Sequence, residues 1–189
     1  MKLKTVLILT ACFLTLSLYT KGQVAVKTNV AMDAFRLPNL GVEIGLSRKF
    51  TVDVPVYYNP WKFSDSKQMK LFMVQPELRY WLCESFNGHF FGAHLMGGAY
   101  HTKGIKPPFA LWSDMKNYRY KGKFYGAGIS YGYQFILGNH WNLEATVGVG
   151  YARVDYEKFS CNECDGRQDK GNKNYFGPTK AGVSLIYIF

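Results

Sequence analysis

Tyr125-Gly126-Ala127-Gly128-Ile129-Ser130-Tyr131-Gly132-Tyr133-Gln134-Phe135 runs through a turn at Gly138-Asn139-His140 into Trp141-Asn142-Leu143-Glu144-Ala145-Thr146-Val147-Gly148-Val149-Gly150-Tyr151-Ala152. In the first half the odd positions are bulky and apolar, ending with Leu137, while the even ones hold Gly126, Gly128, Ser130, Gly132 and Gln134. In the second half Trp141, Leu143, Ala145, Val147, Val149 and Tyr151 oppose Asn142, Glu144, Thr146, Gly148 and Gly150. A period of two marks a strand whose faces meet different surroundings, and the short turn between the runs joins them as an antiparallel hairpin.

The same pattern repeats outward from this hairpin. Toward the N-terminus, alternating runs cover residues 24–34, 40–46, 50–58, 72–82 and, least clearly, 89–100; toward the C-terminus one covers 181–189. With the quoted pair this makes eight strands. The connections at 47–49, 83–88 and 138–140 are short, whereas 59–68, 101–123 and 155–175 are predicted as long loops. An even strand number with long loops at one end and tight turns at the other predicts an all-β fold, an eight-stranded antiparallel up-and-down transmembrane β-barrel.

A β-sandwich would also alternate, so the character of the two faces decides. One face collects large aliphatic and aromatic side chains. The other collects Lys27, Asp33, Glu43, Asp53, Glu77, Arg79, Glu144 and Lys180, with His94 if the fifth strand is phased correctly, and is interleaved with Gly41, Gly45, Gly126, Gly128, Gly132, Gly148, Gly150 and Gly182. On a water-facing sheet, glycine weakens the strand by ~0.5–1 kcal/mol and gains nothing. Inside a narrow barrel it makes room for long charged neighbours. Aromatics fall at both strand ends, with Phe50, Tyr80, Phe135, Trp141 and Phe189 by the short turns and Tyr58, Phe72, Tyr125 and Tyr151 by the long loops. Two such belts are expected at bilayer interfaces.

Composition agrees with this reading. The chain has 189 residues, 48% hydrophobic and 19% charged, which is too apolar for disorder and the size of one domain. Residues 1–22 read as a signal peptide, with Lys2 and Lys4 ahead of the uncharged apolar run Val6 to Leu18, leaving 23–189 as the outer-membrane domain. Its removal deletes Lys2, Lys4 and Lys21 and no acid, taking the formal charge from +10 to +7. Past residue 22 no apolar run approaches the ~18 residues of a spanning helix. The ending Val183, Leu185, Tyr187, Phe189 is similar to the C-terminal signal read by the barrel assembly machinery, an expected partner during insertion.

Five stretches carry a family resemblance: Arg79-Tyr80-Trp81-Leu82-Cys83, Phe86-Asn87-Gly88-His89-Phe90-Phe91-Gly92, Tyr125 to Tyr133, Trp141-Asn142-Leu143-Glu144 and Gly148-Val149-Gly150-Tyr151-Ala152. In these the chain resembles the uncharacterised small outer-membrane proteins of anaerobic gut Gram-negative bacteria that share a domain of unknown function. The resemblance implies an outer-membrane barrel of the cell envelope and brings no established activity. Members of this group are expected near fimbrial or other surface-assembly genes. More loosely, the architecture is similar to OmpA/OmpX-type eight-stranded barrels.

Three groups of residues could carry function. Lys27, Glu43, Asp53, Glu77, Arg79 and Glu144 are expected as a lumen charge network, because unpaired charges in a low-dielectric interior cost several kcal/mol each; a proton or ion path is the competing use. Cys161 and Cys164 are candidates for a loop disulfide, since no second ligand pair for zinc lies nearby. Lys103, Lys106, Trp112, Lys116, Arg119 and Lys121 form a basic, aromatic-studded candidate surface for outer-membrane lipids, lipopolysaccharide or a surface-appendage protein. Export argues against nucleic acid. No cofactor, metal or catalytic residue is assigned. The function expected is structural or surface-interacting, with a lipid A enzyme (His101 and Ser113 being the one rim pair) or a narrow channel as alternatives.

Overall fold

A computed structural model describes residues 22–60, 62–64, 67–103, 118–160 and 167–189. The alternating runs become β1 (Val24–Asn29), β2 (Asn39–Gly45), β3 (Phe50–Asn59), β4 (Lys62–Ser64), β5 (Lys67–Val74), β6 (Glu77–Trp81), β7 (Gly88–Lys103), β8 (Tyr118–Ile136), β9 (Trp141–Ser160) and β10 (Arg167–Ile188), with one helical turn, α1 (Val30–Ala34). All pairings are antiparallel, and β1 joins β10 while β2 joins β3, so the sheet closes on itself. The predicted signal segment lies outside the described residues apart from Gly22.

Ten strands make eight staves. β5 and β6 form one stave, because β3 pairs with β6 near its start and with β5 near its end, and β7 does the same. The break falls at Gln75-Pro76, where proline has no N–H to give the ladder. Carbonyls carry the pairing across, with Gln75 N donating to Pro55 O at 3.1 Å and Leu95 N to Pro76 O at 2.9 Å. β4 only extends the edge of β5. The result is the expected closed, eight-stranded, up-and-down barrel.

Three expectations about the strand ends need correction. The first run does not continue to Ala34. Asn29 caps α1 by accepting from Met32 N at 3.2 Å, and Asp33 accepts from Thr28 Oγ1 at 2.7 Å and Asn39 Nδ2 at 2.9 Å. Asp33 thus ties the β1–β2 connection together and is not a lumen charge. The long loops are also shorter than predicted. β7 runs on to Lys103 and β8 starts at Tyr118, so Lys103, Arg119 and Lys121 sit on strands, with Lys103 paired to Arg119. Likewise β9 extends to Ser160 and β10 begins at Arg167.

The two faces separate as alternation requires. Outward residues Ile129 and Val147 are 66% and 61% exposed, and all nine predicted belt aromatics are exposed. Inward, glycines leave the space that larger neighbours fill. A Cβ on Gly92 would lie 2.6 Å from Glu77 Oε1, one on Gly128 2.7 Å from His94 Nε2, and one on Gly41 3.1 Å from Lys27 Cγ.

The short-turn end is stoppered. Trp81, Phe90, Ala25, Ile186 and Phe86 are buried there, with ring centroids 4.8 Å apart for Trp81 and Phe90 and 6.0 Å for Trp81 and Phe86. Phe86 reaches inward from the β6–β7 turn with φ +64°, an uncommon conformation for a bulky residue. Burial of its ring and the Asn142 Nδ2 hydrogen bond to its carbonyl (3.1 Å) hold it there. The described residues contain no helix long and apolar enough to cross a membrane.

Candidate functional site

Above the aromatic floor lies a layer of charge organised around Arg79, which is wholly buried. Its position on β6 puts it at the inward parity, and its guanidinium has five N–H donors in a rigid fork. All five are used. Nε donates to Glu77 Oε2 at 2.6 Å, one terminal nitrogen to Glu43 (2.9 Å) and Glu144 (2.7 Å), and the other to Asp53 (3.0 Å) and Glu144 (3.1 Å). Its underside rests 4.4 Å from the centre of the Phe90 ring, joining the ionic layer to the floor.

Two lysines complete the charge balance. Lys27 Nζ lies 2.7 Å from Glu43, 3.1 Å from Asp53 and 3.5 Å from Glu144. Lys180 Nζ lies 2.8 Å from Glu77 and 3.6 Å from Asp53. Hydroxyls bond three of the four carboxylates: Thr51 and Ser130 donate to Glu43 and Glu77, and Thr146 to Glu144 at 2.8 Å, while Asp53 Oδ1 is buried without a hydrogen bond among the described residues. His94 Nε2 meets Thr179 Oγ1 at 2.9 Å, and its Nδ1 is 3.8 Å from Glu77. Four carboxylates therefore face three permanent cations, nearly neutral and densely bonded.

The structure brings all six predicted network residues, Lys27, Glu43, Asp53, Glu77, Arg79 and Glu144, into this one layer. It adds Lys180, Thr51, Ser130, Thr146, His94 and Thr179. The hydroxyl residues Thr51, Ser130 and Thr146 had a legible signal, since each sits at the inward parity beside a glycine or an acid. Thr179 had none. A register shift between Pro178 and Lys180 in the β9–β10 ladder lets Thr179 and Lys180 both engage inward groups, which alternation forbids.

Every stave contributes: Lys27 from β1, Glu43 from β2, Asp53 from β3, Glu77 and Arg79 from β6, His94 from β7, Ser130 from β8, Glu144 from β9 and Lys180 from β10. The layer is thus a cross-brace that pins strand register around the whole barrel. It also fills the bore. The cavity within it, between Lys27, Asp53, Arg79 and Lys180, has room for about one water, ≈ 20 Å³. Among the described residues, no group of three or more His, Cys, Asp or Glu is arranged to hold a metal ion.

Beyond this layer the interior changes. Tyr57, Met96, Ala152 and Val154 are buried above the charges. Past them the barrel opens into a cavity of about 910 Å³ at the long-loop end, bounded by β3, β5 and β7–β10. Of the predicted surface residues, Lys121 is exposed and borders this cavity. Lys106, Trp112 and Lys116 lie outside the described residues, as do Cys161, Cys164 and Ser113.

No curated protein sequence matches the chain. Residues 5–189 match the family described as Protein of unknown function (DUF3575), which takes in both the ionic layer and the open cavity. The chain belongs to that family.

Proposed function

We propose that the processed chain is an outer-membrane barrel of a Gram-negative envelope, with a structural or surface-interaction role and its long-loop end outside the cell. The observation that carries this reading is the polarity of the wall: the exterior is a continuous apolar band between two aromatic belts, and the ions are inside. Trp141 to Tyr151 on β9 spans one belt to the other, matching the ~9–11 residues of a tilted bilayer-crossing strand. A barrel dissolved in water would have no reason to expose Ile129, Val147, Leu95 and Phe176 while burying Glu43 and Arg79.

The filled bore supports a non-conducting role, with partners met at the outer surface: glycolipid, or a surface-appendage protein engaging the outer loops. The reading is non-enzymatic, and lipid A mass spectra should be the same with and without the gene. Fractionation tests the core of the proposal. The expected result is a processed chain in the outer-membrane fraction whose unboiled gel mobility differs from the boiled form; recovery in the aqueous periplasmic extract overturns it. Deleting residues 104–117, which spares β7 and β8, should remove co-purifying surface partners, and an unchanged set would acquit that segment.

A further inference from the structure

We propose that the outward wall just above the outer aromatic belt docks the phosphate groups of a membrane glycolipid, held by Lys70, Lys121, Lys123, Arg153 and Lys170. The proposal rests on the reading that the barrel spans the outer membrane with its long-loop end outside, and it names the chemistry by which the wall meets glycolipid.

The strand ladder brings these cations together. Lys70, His101, Lys121, Glu157 and Lys170 are successive partners on one rung, from β5 through β7, β8 and β9 to β10. Two residues lower stand Phe72, Ala99, Lys123, Asp155 and Asn172, and lower again Tyr125 pairs with Arg153. Alternation turns these rungs to the outside, because the rung between the first two, with Tyr100, Gly122 and Tyr156, faces the cavity. All five cations are exposed.

Their height is set by the belt. Tyr125 belongs to it, Lys123 is one outward step beyond, and Lys121 is two. Each step is ~7 Å along the strand, or ~5 Å of height in a barrel whose strands tilt by ~40°. The first step falls within the headgroup zone that borders the hydrocarbon core. The second falls at its outer edge, from which a lysine chain reaches back into it.

The acids nearby leave this charge largely free. Five cations stand with two acids, Asp155 and Glu157. Arg153 Nε lies 3.7 Å from Asp155, while among the described residues no ion pair holds Lys70, Lys121, Lys123 or Lys170. The short-turn end is different: Arg48 is paired with Glu84 at 3.0 Å, and Lys49 Nζ donates to Leu82 O at 3.3 Å. Ammonium groups open to an outside partner are therefore gathered at one end, beside the belt.

An anion at this height, on a wall that faces lipid, belongs to a headgroup, where the strongly charged group is phosphate. Its oxygens accept from several ammonium donors at once. Lys121 and Lys123 are ~7 Å apart along β8, and Lys121 and Lys170 ~10 Å apart across two strand spacings, so pairs of long side chains converge on one phosphate.

The test uses the full processed chain in phosphatidylcholine nanodiscs doped with bisphosphorylated lipid A, or with the same lipid after its phosphates are removed. Native mass spectrometry reads the lipid kept on the released protein. Retention of the phosphorylated lipid and loss of the other are expected. Lys121→Gln with Lys123→Gln should cut retention about tenfold. Lys70→Gln with Lys170→Gln should act in the same direction, a second handle if the first pair fails to give the compact unboiled gel form. Lys49→Gln, at the opposite end, should change nothing. Equal retention of the two lipids, or a folded double variant that retains lipid A as well as wild type, overturns the proposal. An inserted chain indifferent to phosphate sinks this inference alone, whereas a chain that never enters the disc sinks the reading of its location and this inference together.

Discussion

At His94, Ser130 and Glu144 the inward faces of β7, β8 and β9 meet the opposite wall; at Tyr100, Gly122 and Tyr156 the same three strands face a space of about 910 Å³. The backbone alternation is identical at both levels. What differs is how many staves stand there. Beside the ionic layer all eight are present, so a long inward side chain reaches its partners across a narrow bore. Higher up β1 and β2 have ended, and the upper rungs of β7–β10 border open cavity. Glycine takes a different part in each. Gly92 and Gly128 vacate volume that Glu77 and His94 fill, whereas Gly122 and Gly171 let tyrosines fold back against the wall.

The sharpest way to break this contrast is Arg79→Met. It would leave Glu43, Asp53, Glu77 and Glu144 facing only Lys27 and Lys180 in a space with room for about one water. Removing one partner from a buried ionic cluster costs ~3–5 kcal/mol, and five hydrogen bonds go with it. The expected outcome is loss of the compact unboiled gel form, or a large fall in the urea midpoint followed by tryptophan fluorescence. An Arg79→Met chain as stable as wild type would show that the brace is ornamental.

The outer surface should respond to height in a similar way. Ile129→Lys puts a charge in the middle of the apolar band and should cost ~2–4 kcal/mol in a bilayer. Asn174→Lys, on β10 above the band, should stay within ~0.5 kcal/mol. Equal tolerance of the two, measured by urea titration in lipid vesicles, would remove the bilayer from the account.

Glycine substitutions sharpen the comparison at smaller scale. A Cβ on Gly132 would press on the Phe90 ring, which is held between Arg79 and Trp81 and has nowhere to go. Gly132→Ala should therefore cost ~1–3 kcal/mol through overpacking. At Gly171 the nearest atoms all belong to the far end of the Tyr156 side chain, which can swing into open cavity. Gly171→Ala should cost less than about 1 kcal/mol, and the same urea titration orders the two. The reverse order would mean that the upper rung is packed as tightly as the lower.

The same line divides the features that are legible in the residues from those that are not. Lys27, Glu43, Asp53, Glu77, Arg79 and Glu144 were legible as one inward set because period-two alternation is unbroken between them and their neighbouring apolar residues. The error at Val30–Ala34 arose because Val30, Met32 and Ala34 keep that period, while the polar side chains of Asn29, Asp33 and Asn39 turn the backbone. The upper parts of β9 and β10 read as loop because they rise past the apolar band. No greasy face is required there, and main-chain hydrogen bonds alone make the strand.

Taken alone, the order of residues determined which side of each strand a side chain occupies, since that depends only on the local geometry of an extended backbone. It also determined that bulk would lie outside and charge within. Which inward residues meet was decided only by closure of the sheet. Arg79 finds Glu144, 65 positions away, because β6 and β9 stand across the same bore at the same height. Stagger, strand height and the shift at Pro178 arise from all the pairings together, and no single segment contains them.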